Sequence, residues 1–157
     1  MRAEELMIGD LVRIGELNKY SGNVGKIKSL QSHKKDDGAY FLVFVSGDKG
    51  CVSTEVFNED IEPIPLTPEI LEKNGFEEDF YSIITANGFE RLPEYKYKNM
   101  KEARDIRRNL IRVAYSNTEG GVYDIQAGIG SHIFSLKYVH ELQHALRIMK
   151  IDKEIVI

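Results

Sequence analysis

His140-Glu141-Leu142-Gln143-His144 is the one string in the chain with a named chemistry. On a helix, histidines four residues apart share a face and can ligate one metal, and the glutamate between them can polarise a metal-bound water. That is the pattern of a zinc-dependent hydrolase. A catalytic zinc also needs a third protein ligand and a shielded cleft. The extended form of the string would place glycine at position 147 and histidine at 150, where the chain has Arg147 and Lys150. Only 13 residues follow His144, too few for a second helix bearing a glutamate ligand. The best further donor is upstream, so the metal set open to this reading is His132, His140 and His144, with Glu141 as base.

The helix that carries the string argues against that use. At roughly 100° per residue, Tyr138, Val139, Leu142, Ala145, Leu146 and Met149 form one apolar stripe. His140 and His144 fall on the opposite side, beside Arg147, whose charge would repel a metal. The expectation is a histidine pair pointing outward from a solvated helix face, with no zinc catalysis and no cofactor.

A second cluster has the residue types for nucleic acid. Tyr95-Lys96-Tyr97-Lys98 is followed by Lys101, Arg104, Arg107, Arg108 and Arg112, and residues 96–112 hold seven basic groups against two acidic ones. Tyrosines can stack on bases while neighbouring cations meet phosphates. The candidate contacts are Tyr95, Lys96, Tyr97, Lys98, Arg104, Arg107 and Arg108. Alternation of this kind also marks any half-buried strand, with Tyr95 and Tyr97 on one face and the lysines on the other. The segment lies in an acidic protein of net charge −4, so attraction of the whole molecule to nucleic acid or an acidic membrane is not expected.

The remaining clusters carry less. His33-Lys34-Lys35-Asp36-Asp37-Gly38 reads as a loop tip of nearly balanced charge. Glu77-Glu78-Asp79 lacks the spacing of a calcium loop. Gly128-Ile129-Gly130-Ser131 is followed by no lysine and has no Rossmann context, so it reads as a bend. No serine or cysteine nucleophile has a base that the sequence can place beside it.

These residues need a scaffold, and 157 residues make one ordinary domain or two small ones. A solitary cysteine, Cys51, rules out an internal disulfide and fits a reducing compartment. No apolar run approaches the roughly 20 residues that span a bilayer, and Met1-Arg2-Ala3-Glu4-Glu5-Leu6 has acid where a signal peptide would have base. The expected location is the cytoplasm, with no membrane partner.

Residues 1–66 read as a small β unit. Strands are expected at Leu11–Ile14, Val24–Leu30, Tyr40–Val45, Cys51–Thr54 and Ile61–Ile64, with one 3₁₀ turn over Glu55–Asn58 and a hairpin turn at 46–50. Pro63 and Pro65 end the unit. Thr67 then caps a helix over 68–74, with Pro68 at its first position and Gly75 past its end. Phe80–Thr85 and Phe89–Tyr95 flank Asn87-Gly88, the strongest hairpin signal in the chain, and Pro93 marks the second of these as an edge strand. Residues 99–108 are polar, helical or looped. A further hairpin joins Leu110–Tyr115 to Val122–Gln126, a helix is expected over 136–149, and Glu154–Ile157 reads as a short closing strand. The fold class is α+β, with units 1–66 and 67–157.

Two resemblances add to this. Five short strands with a helical turn before the last resemble the SH3-like barrel, and Gly9-Asp10-Leu11-Val12-Arg13-Ile14 followed by Gly22, Gly25 and Ile27 resembles its KOW type. Such barrels bind peptides, RNA or proteins, so the likeness implies a fold and no single function. Blocks across both units resemble short proteins of unknown function encoded by gut anaerobes, their mobile elements and phages: Ile8-Gly9-Asp10, Ile61 to Thr67, Asn74-Gly75-Phe76 and Lys137 to Gln143. In those proteins the Tyr-Val-His-X-Leu-Gln block recurs and the second histidine is often missing. That implies a packing role for Tyr138 to Gln143 and no activity. The favoured reading is a non-enzymatic cytoplasmic interaction module with a protein partner. The alternatives are a nucleic-acid-associated protein and a zinc-dependent hydrolase.

Overall fold

The computed structural model describes residues 5–32, 39–47, 50–86, 88–98, 110–116, 122–127, 133–148 and 150–157. The chain divides into two compact units, Met1–Ile64 and Pro65–Ile157. The division falls two residues before the expected one. Pro65 forms a bridge with Tyr138, and the Leu66 N–H donates to the Lys137 carbonyl at 2.8 Å. Residues 65 and 66 are thereby tied into the second unit.

In the first unit β1 (Leu11–Ile14), β2 (Val24–Ser32), β3 (Ala39–Gly47), β4 (Gly50–Phe57) and β5 (Ile61–Glu62) form an antiparallel sheet in the order β4-β3-β2-β1-β5. Strand alternation puts Val12 and Ile14 inside and Arg13 outside. They join Leu6, Ile27, Val43, Val56 and Ile61 in one core, with Tyr20 packed against it. A register shift between Ile27 and Ser29 bends β2. Among the described residues the sheet is open, because no pairing joins β4 to β5. β5 is short because Pro63, with no N–H, follows it directly. The 3₁₀ turn lies at Asn58–Asp60, later than expected, since β4 continues to Phe57.

Asp60 explains why that turn is fixed. Its carbonyl accepts from the Gly15 N–H at 2.8 Å and its Oδ1 from the Leu17 N–H at 3.0 Å. A Cβ on residue 15 would lie 2.5 Å from Asp60 Oδ1, so only glycine lets the β1–β2 loop approach this closely.

The second unit begins with α1 (Pro68–Lys73). Thr67 Oγ1 accepts the Ile70 N–H, and Pro68 stands at the first position. The helix ends in a Schellman motif: Gly75 (φ 76) donates to Glu72 O and Phe76 N donates to Leu71 O. Phe76 and Leu71, both buried, supply the apolar contact that goes with it. Five strands follow as an antiparallel meander: β6 (Glu77–Thr85), β7 (Gly88–Lys98), β8 (Leu110–Ser116), β9 (Val122–Ala127) and β10 (Ile133–Leu136). α2 (Val139–Ile148) lies against β10 and α1 against β6.

Three expectations are corrected here. Leu136, the expected first residue of the last helix, instead ends a strand, Ile133–Leu136, that pairs with β9 from Ile133↔Gln126 to Leu136↔Tyr123, and α2 begins at Val139. β7 is not an edge strand throughout. Among the described residues it pairs with β6 along nearly all its length and with β8 from Glu94 to Lys98. Glu154–Ile157 forms no strand. Asn74 holds it instead, its side chain accepting from Val156 N at 2.8 Å and donating to Val156 O at 2.7 Å and Ile70 O at 2.8 Å. The segments at 33–38, 99–108, 117–121 and 128–131 lie outside the described residues.

Two substitutions check this packing. Asn74→Asp turns a donor that faces two carbonyls into a carboxylate, so the second unit loses stability by at least about 2 kcal/mol, from the lost bonds and the buried charge. Chemical denaturation measures it. Lys150 has φ 57 and closes α2 by a second Schellman motif, Ile151 N to Leu146 O and Lys150 N to Arg147 O. Lys150→Gly removes the left-handed strain and raises stability by about 1 kcal/mol in the same assay.

Candidate functional site

Glu141 sets the geometry at the start of α2. Its Oε2 accepts from the Lys137 N–H at 2.5 Å and the Tyr138 N–H at 3.0 Å. This is the back-reaching half of a capping box, and it satisfies donors that a helix start leaves open. The carboxylate that a hydrolase would use as its base is therefore committed to the backbone of its own helix.

His140 is 4% exposed, which overturns the expectation that it points outward. Val139, His140, Leu142, Gln143, Ala145 and Leu146 are all buried, so the start of α2 is enclosed on more than its apolar stripe. The stripe predicts burial along the whole helix. The turn also packs against its own entering chain: Tyr138 stacks on His140 with centroids 5.7 Å apart and planes at 9°. His144 meets His140 edge-on, with centroids again 5.7 Å apart, and is half-buried. Arg147 and Ile148 are exposed, so the enclosure fades towards the C-terminal end. His132 lies outside the described residues. Among the described residues no three His, Cys, Asp or Glu side chains gather in a way that could hold a metal.

The aromatic members of the basic segment are occupied by packing. Tyr95 is 3% exposed, opposite Val113, and burial pushes its hydroxyl pKa up, with Glu78, Glu72 and Glu69 adding to the effect. Tyr97 packs on Phe76 at 5.2 Å, and the Lys153 ammonium lies 4.4 Å from its ring. Burial there lowers the Lys153 pKa. Lys96 is paired with Asp79, and Glu94 lies 3.6 Å away. The Lys96 ammonium, followed by the Phe80 N–H, holds the Asp79 carboxyl below the usual aspartate range. The side chain of Lys98 and all of Arg104, Arg107 and Arg108 lie outside the description.

A surface that the sequence reading did not single out is the far end of the β6–β7 hairpin. Among the described residues, 88–92 pair with β6 alone, so the hairpin runs on as a two-stranded ribbon past the last β7–β8 pair. The pairs Ile84↔Phe89, Ser82↔Arg91 and Phe80↔Pro93 share one face. Ile84 is 80% exposed and Phe89 84%. Phe80 is also exposed, with the Arg91 guanidinium 4.8 Å from its ring. By alternation this is the face on which Tyr95 is buried, and on the opposite face Leu92 and Glu94 are buried as well. No family model, curated protein or solved structure matches the chain. A signal for the ribbon was present in the sequence: two strands flank Asn87-Gly88, and Pro93 interrupts the second before its Tyr95–Lys98 continuation.

The capping role of Glu141 has its own test. Glu141→Ala costs about 1 kcal/mol and speeds amide exchange in the first turn of α2. Purified protein carries far less than one zinc per chain, and His144→Ala does not change the amount. Near-stoichiometric zinc, lost on His144→Ala, would restore the hydrolase reading.

Proposed function

We propose that the protein is a non-enzymatic interaction module and that the protruding β6–β7 ribbon is its contact surface. The observation that carries this is the cross-strand pair Ile84 and Phe89, two large apolar side chains left about four-fifths exposed, at 80% and 84%. Isolated apolar residues on a surface are ordinary, but a pair directly opposite each other, continued by Phe80 on the same face, is the pattern of a partner site. The groups proposed for chemistry are engaged elsewhere. Glu141 caps a helix, His140 is stacked in the interior, and Tyr95 is in the core.

Within this reading the first unit is an SH3-like barrel of KOW type. Support comes from a four-strand meander, β1 to β4, whose first strand also pairs with the fifth, and from the 3₁₀ turn that precedes that fifth strand. It serves as scaffold or as a second contact surface. The same reading takes the protein as cytoplasmic, in keeping with its single cysteine, and as related to the short proteins of gut anaerobes, mobile elements and phages that it resembles. Among the described residues no helix is long and apolar enough to cross a membrane.

Affinity capture from native lysate, comparing the wild type with the Ile84→Ser, Phe89→Ser double variant, tests the module. The wild type retains a defined partner that the variant loses, while the variant's stability stays within about 0.5 kcal/mol, as expected for exposed positions. Identical capture by both proteins, or capture of nothing by the wild type, would overturn the reading. Salt-dependent retention on nucleic acid that disappears on changing Arg104, Arg107 and Arg108 to alanine would transfer the function to the basic segment.

A further inference from the structure

We propose that the outer edge of β6, from Glu78 to Ile84, receives an extended segment of another protein in which apolar and basic residues alternate. The proposal rests on the interaction reading above and adds the occupant's conformation and charge. β6 is the last strand of its sheet, and among the described residues it pairs with β7 alone. The two-residue loop closes on Thr85↔Gly88, a hydrogen-bonded pair in such hairpins. Counting back, Ile83, Tyr81, Asp79 and Glu77 direct their backbone groups at β7. Glu78, Phe80, Ser82 and Ile84 direct theirs at the open edge. The Phe80 N–H shows this parity, since it donates to its neighbour's Asp79 Oδ1 at 2.8 Å rather than to β7. An outward row of donors and acceptors is a template for strand addition.

Charge selects the occupant. An added strand would place alternate side chains on the two faces of the ribbon. One face offers Phe80, Ile84 and Phe89; the other offers Glu77 and, on β7, Glu90, with Asp79 paired to Lys96 and with Leu92 and Glu94 buried. Residues 77–96, the whole hairpin, hold five acidic groups against Arg91 and Lys96. Apolar side chains suit the first face and cations the second, which is the alternation proposed. A second copy of this chain fits less well, because β6 pairing with β6 brings two acidic strands together.

The probe is a blocked nonapeptide of alternating lysine and valine, titrated into the full-length protein. It binds with an affinity that falls as salt rises, and it protects the Ser82 and Ile84 amides from exchange. A glutamate–valine peptide does not bind. Ser82→Pro removes an outward N–H without costing a β6–β7 bond, and it weakens binding by at least about tenfold. A lysine–valine peptide N-methylated at alternate residues gives the same loss with the protein unaltered. Undiminished binding in either test, or binding of the acidic peptide, overturns the proposal. So does a dimer in sedimentation that Ser82→Pro abolishes, since the occupant is then a second copy. The two readings fail differently. A cellular partner lost with Ile84→Ser, Phe89→Ser but kept with Ser82→Pro ends strand addition and leaves the interaction module standing.

Discussion

Pro93 has no amide hydrogen, and it stands in β7 at a position whose backbone groups face β8. The parity that turns Glu94 towards β6 turns residue 93 towards β8, opposite Tyr115. An interior strand needs a donor there. The β7–β8 ladder accordingly begins one residue later, at Glu94↔Ala114. The N–H that proline lacks is not needed by β6, because Phe80↔Pro93 is a non-hydrogen-bonded pair. One residue thus leaves the hairpin intact and ends the β7–β8 ladder among the described residues. The exposed far half of the hairpin follows from that interruption, whereas the outer edge of β6 is open because β6 is the last strand of its sheet among the described residues.

The buried half of the unit shows the opposite economy, in which side chains stand in for secondary structure. Asn74 gives the C-terminal tail the bonds that a neighbouring strand would give, accepting from and donating to Val156 while also holding Ile70 O. The tail brings Ile155 into the interior, and Lys153 lies over Tyr97. Glu141 does the same at the other helix, taking two backbone donors that no turn of α2 can reach. Both residues are polar, and both look available for chemistry in a string of letters. Their neighbours in space remove that availability.

Local signals made much of this legible. Thr67, Pro68 and Gly75 bracket α1 because capping depends on residues within one turn of the helix end. The Gly9-Asp10 turn, the alternation through Val12 and Ile14, and the Asn87-Gly88 hairpin are equally short-range. What was not legible depends on contacts between distant segments. A helical wheel gives α2 one buried side, but His140 is buried as well, with Tyr138 of the entering chain stacked against it. A helix start at 136 comes three residues too early because nothing local separates Leu136 from the helix that follows, and only its pairing with Tyr123 marks it as strand. Proline at 93 was read as a property of the whole strand, whereas hydrogen-bond parity confines its effect to one side and one end.

Exposed edges carry a cost, since a flat strand bordered by apolar side chains invites self-association. The ribbon contains devices that limit this. Asp79 takes the outward Phe80 N–H for itself and holds Lys96 beside it, so the start of the edge is charged and partly self-satisfied. Glu77 and Glu78 extend that acidic stretch. The apolar pair Ile84 and Phe89 stands at the other end, beyond the acids. Here most of the acids stand at the root and the apolar pair stands near the tip beside Glu90 and Arg91, an arrangement that suits a cationic, extended partner better than a second acidic copy.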